Sequence, residues 1–355
     1  MCFRTIWDVT KYTCATISIW CLGAAIYVIA PAQASLVILA SLLAIIVAGM
    51  YFGLMRLVRL IYYLLFYDFS LMLLEGPIGA GKTVFFEHLK RSVGSRSLWT
   101  LWRPRFYEEK IVNTELTQFY TDQKSTAMTF DQRMQQRREN DWMTMQRSWT
   151  QSSCDRQLPS TIVFARVNYV LGNLAWNEYE SLLKLPDLFD RIRTFQSKDF
   201  MRRPVTMVYM SADYRTCADR AAQRPGVPPI ALRYHQMVCC VYALFMLELH
   251  RANLDQSILR FVVMDTPFDA TPARGRFYQG EWHISDLFVA PFPTYNVKTK
   301  LQQLAADNCA MKLSRAEFQR LTHCCGRSPG LIAQQSEVDN QETVTITYNP
   351  SLERD

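Results

Sequence analysis

Along the chain the apolar residues form runs of two kinds, one far too long for a globular element and several of ordinary length. From residue 12 to residue 55 there is no Asp, Glu, Lys or Arg, and the stretch divides at Pro31 into apolar segments 13–30 and 35–55. A hydrocarbon core of about 30 Å needs about 20 helical residues, so the two segments predict a pair of transmembrane helices joined by a short turn. Lys11 precedes them and Arg56 and Arg59 follow, which puts both ends of the hairpin and the rest of the chain on the cytosolic side. Tyr62, Tyr63, Phe66 and Tyr67 then read as an aromatic belt at the interface. A cleaved leader does not fit, because the stretch is too long and a second apolar segment follows the first. A helical hairpin buried in a soluble oligomer is the alternative.

Beyond this segment the period shortens. Residues 71–74 are a compact apolar run of the kind that makes a buried parallel strand, and Phe85, Phe86, Leu89 and Val93 recur at helical spacing. Residues 207–210 and 259–264, the latter ending at Asp265, read as further strands, and residues 231–249 as a core helix in which His235 argues against a third span. Strands alternating with helices predict an α/β fold with a parallel sheet flanked by helices. From Ser328 the chain turns polar and Gln-rich, with only residues 344–348 patterned as a strand, so 328–355 reads as a mostly disordered tail. The division is a membrane hairpin with its interfacial segment at 1–67, an α/β domain at 68–327, and the tail.

Composition excludes several classes. Apolar residues make up 49% and charged residues 20%, too apolar for a disordered chain. The 39 Lys and Arg exceed the 32 Asp and Glu by seven without forming a basic block, so no nucleic-acid partner is indicated. The ten cysteines are scattered, with adjacent pairs at Cys239, Cys240 and Cys324, Cys325 and no Cys-x-x-Cys; they read as reduced thiols rather than a zinc site or a disulfide scaffold.

The first chemistry lies directly after the strand at 71–74. Gly76, Pro77, Ile78, Gly79, Ala80, Gly81, Lys82 and Thr83 fit the phosphate-loop pattern G-x-x-x-x-G-K-[ST], between a strand and a helix as that loop requires. The glycines let backbone N–H groups close on phosphate oxygens, Lys82 reaches the β- and γ-phosphates, and Thr83 ligates Mg²⁺. A nucleoside triphosphate with Mg²⁺ is therefore expected, and the loop alone would serve a kinase, a GTPase or a motor ATPase; the resemblance described next makes the expected cofactors ATP and Mg²⁺.

Four segments taken in order over about residues 70–250 resemble the herpesvirus-type thymidine kinases, a branch of the deoxynucleoside kinases. They are the loop from Glu75 to Thr83, the stretch from Met128 to Gln132, Cys154-Asp-Arg-Gln157 with the helix beyond it, and Asp219-Arg-Ala-Ala-Gln-Arg-Pro-Gly226. The resemblance implies a P-loop kinase fold with an arginine lid, phosphorylating a deoxynucleoside at its 5′-hydroxyl, with thymidine the first expectation. It implies that Asp155 helps Thr83 hold magnesium, that Arg156 contacts the transferring phosphoryl, and that Arg220 and Arg224 close over the ATP phosphates. It implies further that Gln132 reads the base edge, Phe164 and Met128 cover its two faces, Tyr120 touches the sugar, and Arg166 supplies a cation in the same helix. Arg133, Arg137 and Arg138 read as a solvated helix face. Homodimerisation is left open.

The sequence also departs from that family. Arg105 stands where the family has its general-base Glu, and an arginine cannot accept a proton. Glu108 or Glu109, a few residues on, would serve if the loop is re-registered. Gln157 replaces a His, Asn168 replaces an Arg, Val227 replaces a sugar-contacting Glu, and the lid is two residues shorter. The alternative to a kinase is accordingly a membrane-anchored relative that binds ATP without transferring phosphate.

Overall fold

The computed structural model describes residues 41–47, 49–51, 71–94, 105–109, 111–147, 152–197, 205–223, 229–254, 259–265, 274–277, 280–283, 297–326, 330–338 and 341–352. The chain forms two compact units, Met1–Tyr67 and Asp68–Asp355.

In the first unit residues 41–47 and 49–51 are helical, with the side chains of Leu43, Ile45, Val47, Met50 and Tyr51 exposed. No helix among the described residues is long and apolar enough to cross a membrane. The first predicted span, residues 13–30, and most of the flanks of the second lie outside the described residues.

The second unit is built on a seven-stranded sheet of order β2-β3-β1-β4-β5-β6-β7. Its strands are β1 (Leu71–Glu75), β2 (Arg105–Tyr107), β3 (Ser152–Asp155), β4 (Val205–Ser211), β5 (Leu259–Asp265), β6 (Arg274–Phe277) and β7 (Gly280–His283). The first five are mutually parallel, and β6 and β7 add on antiparallel. Because β1 is central, its side chains are buried on both faces: Leu71 and Leu73 enter one core, Met72 and Leu74 the other. This is why the sequence there reads as a continuous apolar run rather than an alternating one.

Helix α1 (Lys82–Gly94) covers the smaller core through Phe85, Phe86 and Leu89. The larger core takes α2 (Asn113–Thr121), α3 (Gln123–Arg147), α4 (Leu158–Val170), α5 (Trp176–Ser181) and α6 (Leu185–Ser197). Helix α7 (Tyr214–Ala222) follows β4, its N-terminus capped by Asp213, whose Oδ1 accepts from the N–H groups of Arg215 and Thr216 at 3.0 Å each. Helix α8 (Leu232–Leu254), expected as a core helix, is buried almost all round from Tyr234 to Leu249.

Two expectations are corrected here. The tail is not a polar coil: β9 (Leu331–Val338) and β10 (Gln341–Tyr348) form an antiparallel hairpin. With β8 (Met311–Ser314) it makes a second, three-stranded sheet, connected by α9 (Val297–Asn308) and α10 (Arg315–Cys325). Polar residues mislead in this stretch because β10 buries alternate positions, Val344, Ile346 and Tyr348, while Thr343 and Thr345 are half-buried and Thr347 is exposed. The thiols are also not all reduced. Cys240 of α8 is disulfide-bonded to Cys309 just beyond α9, while Cys154, Cys217, Cys239, Cys324 and Cys325 are free.

Candidate active site

Parallel strands β1, β2 and β3 end at the same edge of the sheet, with Leu74 beside Asp155 and Tyr107 beside Cys154 in register. That edge is where open α/β sheets bind ligands, and three carboxylates, Glu75, Glu109 and Asp155, follow or end these strands.

The phosphate loop turns out of β1 on glycines with positive φ. At Gly79 (φ 86°) an added Cβ would lie 2.1 Å from the Cys217 carbonyl oxygen, so the loop and the start of α7 pack with no room for a side chain. Pro77, Ile78 and Ala80 are buried in the turn. Lys82 is 4% exposed and donates to the carbonyls of Gly76 and Pro77, at 2.6 Å each. Burial and the nearby charge of Arg156 bring its ammonium down to about 7, against the pull of Asp155 and Glu109. The Arg220 guanidinium overlies the loop, with Nη1 3.8 Å from the position of a Cβ on Gly81. Arg224 and Val227 lie outside the described residues.

Thr83 Oγ1 donates to Asp155 Oδ2 at 3.2 Å, which brings together the two residues expected to hold a magnesium ion. Asp155 Oδ1 is buried with no hydrogen-bond partner, and burial raises the carboxyl above the usual range against Lys82 and Arg156. A hydroxyl beside a carboxylate with an unpaired oxygen is an oxygen donor set that suits Mg²⁺, which takes one or two protein ligands and completes its shell with phosphate and water. Among the described residues no group of three or more His, Cys, Asp or Glu could enclose a metal on its own.

Glu75 is fully buried and accepts from the Gln157 N–H at 2.8 Å and the Ser160 hydroxyl at 2.5 Å. It thus ties β1 to the N-terminus of α4 through the Gln157 backbone. Burial lifts the Glu75 carboxyl to about 7 despite these bonds.

The two Glu candidates separate cleanly. Glu108 is 55% exposed and pairs with Lys90 on the outer face. Glu109 is 8% exposed, accepts from Arg156 Nη1 at 2.6 Å, and also accepts from Arg138 Nη2. Burial alone would raise its carboxyl, but the two guanidiniums outweigh it and hold it at about 2. Arg105 is exposed at the start of β2, and Glu109 lies four residues downstream, past the strand end. Arg156 itself has φ 59°, a left-handed conformation uncommon outside Gly, fixed by its N–H bond to the Leu74 carbonyl at 3.0 Å.

Glu109, Arg138 and Arg156 line a cavity of about 600 Å³, its open mouth included, to which Ile78 of the phosphate loop also contributes. Tyr120 and Phe164 also line it, and Phe164 lies under Arg156 with the guanidinium carbon 5.5 Å from its ring centre. Other expected residues are placed elsewhere. Gln132 is exposed on the outer face of α3; Asp131, one residue earlier, faces the cavity instead. Met128 is half-buried against the core and outside the cavity lining, where Met134 stands. Arg166 turns away and pairs with Glu248 at 2.5 Å, its charge lying over Phe245.

Arg138, expected on a solvated face, is 5% exposed and donates to Thr161 Oγ1 at 2.9 Å as well as to Glu109. Arg133 and Arg137 do lie outward, both on Glu115. The signal for Asp131 and Arg138 was present: they fall on the same 3–4 residue period as Ala127, Met134, Trp142 and Met145, the buried stripe of α3.

Residues 72–262 match the family model for deoxynucleoside kinase, more than half of the chain, and the chain belongs to the deoxynucleoside kinase family. No curated protein matches it. Among solved structures it is similar to deoxyadenosine kinase from M. mycoides. With the products dCMP and a flexible dCDP bound, that enzyme is 18% identical with a TM-score of 0.43, over 57% of this chain and 93% of that one. Its dATP complex gives 18%, a TM-score of 0.41 and the same coverage; its dCTP complex gives 19% and 0.40 over 55% and 90%.

Proposed function

We propose that this protein transfers a phosphoryl group from ATP to the 5′-hydroxyl of a deoxynucleoside. The chief support is Glu109, a carboxylate ionised at neutral pH and fixed by two arginines in the wall of a cavity to which the phosphate loop contributes.

Phosphoryl transfer asks for positioning and charge neutralisation more than covalent help. Glu109 would accept the hydrogen of the 5′-hydroxyl and align its oxygen. Arg156, bonded to Glu109 and beside the loop, would meet the growing charge on the transferred group, with Lys82 and Arg220 over the loop. Thr83 and Asp155 would hold magnesium, which when bound neutralises phosphate oxygens. Lys82 would exchange its present bonds to the Gly76 and Pro77 carbonyls for phosphate oxygens.

The test is phosphoryl transfer from ATP to each of the four deoxynucleosides by the full chain, with Lys82→Ala as control. Turnover that needs Lys82 supports the reading. ATP binding without turnover on any nucleoside favours the alternative, a binding or regulatory relative, for which the low basicity of a carboxylate held at about 2 is the supporting observation.

The expectation of thymidine came from the family resemblance, and Gln132, which that resemblance puts on the base edge, lies outside the cavity lining. A membrane tether with the kinase unit on the cytosolic face remains part of the proposal, supported by the uncharged stretch at residues 12–55 and its cationic flanks. Retention of the full chain in the membrane fraction after alkaline carbonate washing would support it, and release would end it.

A further inference from the structure

We infer that Cys325, with Cys324 beside it, is a thiol modification site that reacts with small disulfides and closes to a Cys324–Cys325 bond. None of its residues lines the cavity, so the inference stands apart from the kinase reading.

The two cysteines end α10, in the C-terminal layer, where that helix meets α4. The seam is fixed by Tyr169 Oη and His323 Nδ1, 3.2 Å apart, and by Arg320 Nη1, which donates to the Val170 carbonyl at 3.5 Å. Of the five free cysteines among the described residues, Cys154, Cys217, Cys239 and Cys324 are buried, and Cys325 is half-buried. A small reagent therefore meets Cys325 first. The sulfur of Cys324 is 3.6 Å away, so a second thiol stands within reach of whatever Cys325 takes up.

A thiol reacts as its thiolate. The negative charge belongs on Cys325: the Cys324 S–H donates to its sulfur and the Arg166 guanidinium lies beside it, which together hold its thiol below the usual range against burial and the Glu248 carboxylate. Cys324 is pushed well above that range, because it supplies the bond and is buried. The C-terminal end of a helix carries negative partial charge and opposes a thiolate, so the site depends on the cation that α4 brings to it. Arg166 is 4% exposed; its Nη1 donates to Glu248 and its Nε is buried with no hydrogen-bond partner. A buried guanidinium with an unused donor beside a half-buried sulfur is a setting that activates a thiol.

The chemistry balances within the site and the reagent. The Cys325 thiolate attacks one sulfur of the small disulfide, whose S–S bond breaks, and the other sulfur leaves as a thiolate. Cys324 then loses its proton and attacks the Cys325 sulfur, and the second small thiolate leaves. Two protein thiols give up two electrons, the reagent is reduced to two small thiols, and the two protons end on these. Closure brings the sulfurs from 3.6 Å to about 2.05 Å. The adjustment falls on the last turn of α10, which runs out into Gly326 at φ 67°.

The experiment is time-resolved peptide mapping by mass spectrometry of the full chain treated with oxidised glutathione, as wild type, Cys324→Ser and Arg166→Met. Cys325 is expected to react about 10-fold or more faster than Cys154, Cys217 and Cys239. In the wild type glutathione should then be lost as the Cys324–Cys325 bond forms; in Cys324→Ser it should stay on Cys325. Arg166→Met should slow the first step about 10-fold. Cys325 reacting no faster than the buried thiols, or glutathione retained on the wild type as on Cys324→Ser, would overturn the inference. So would an unchanged first step in an Arg166→Met variant that circular dichroism shows to be folded. If that variant is unfolded, the comparison of wild type with Cys324→Ser decides alone.

Discussion

Arg156 Nη1 lies 2.6 Å from Glu109 Oε2, joining the residue after β3 to the loop after β2 in the wall of the cavity. Arg138 holds the other carboxylate oxygen, so Glu109 cannot rotate without breaking two charge-assisted bonds. Its loss should therefore be felt in turnover. Glu109→Gln is expected to lower kcat by about 10²–10⁴-fold with nucleoside binding largely kept. Glu108→Gln, whose ion pair among the described residues is with Lys90, should stay within about twofold of wild type. Steady-state kinetics on the two variants decide it, and equal effects would remove Glu109 from the chemistry.

Asp155→Asn keeps the shape but removes the charge beside Thr83. The apparent Mg²⁺ requirement should rise about 10-fold or more, while the fold, no longer burying a carboxylate with an orphaned Oδ1, keeps its melting temperature. A Mg²⁺ titration of activity, run beside a thermal melt, separates the two; an unchanged Mg²⁺ dependence would place the ion elsewhere.

Two buried acids should make stability fall with rising pH. Glu75 titrates at about 7 in the fold and 4.5 in the free chain, Asp131 at about 7 against 3.8. Between the two values the native state holds a proton that the unfolded chain has lost, so the stability present at lower pH is lost as pH rises toward 7. Glu109 acts in the opposite sense, but only between about 4.5 and about 2. Glu75→Gln should flatten the decline in Tm between pH 5 and 7.5, a range set by these values. An unaltered slope would mean Glu75 is ionised in the fold.

Arg166→Met probes a residue that the family resemblance places on the substrate and the structure places on Glu248. Its loss is expected to cost about 1–3 kcal/mol of stability and to leave nucleoside affinity unchanged. A weakened affinity with unchanged stability would return Arg166 to the site.

The parts legible in the sequence were those dictated by one residue's neighbours along the chain. The glycines at 76, 79 and 81 with Lys82 announce a phosphate loop because the loop is local, and the apolar run at 71–74 announces a central strand because both its faces are covered. Choosing between Glu108 and Glu109 was not local: the two differ by which side of the chain meets Arg138, 29 residues away, and Arg156, 47 away. Asp131 was passed over for Gln132 because a resemblance in letters fixes a position only to within a residue. On a helix that error turns a side chain by about 100°, here from the cavity to water. In the tail, alternation at Val344, Ile346 and Tyr348 was diluted by the polar residues between them.

Helix α8 is shared property. Tyr234 at its start lines the cavity, Tyr242 reaches Glu75 at 3.4 Å, Glu248 takes Arg166, and Cys240 is bonded to Cys309. The segment matching the family ends at residue 262, before α9, the second sheet and Cys309. A fragment cut there would strip the side of α8 that α9 covers and leave Cys240 single, with the helix that holds the cavity wall facing water. The folded unit that carries the candidate site is thus larger than its family signature, and the added C-terminal layer is a scaffold that an expression fragment should retain.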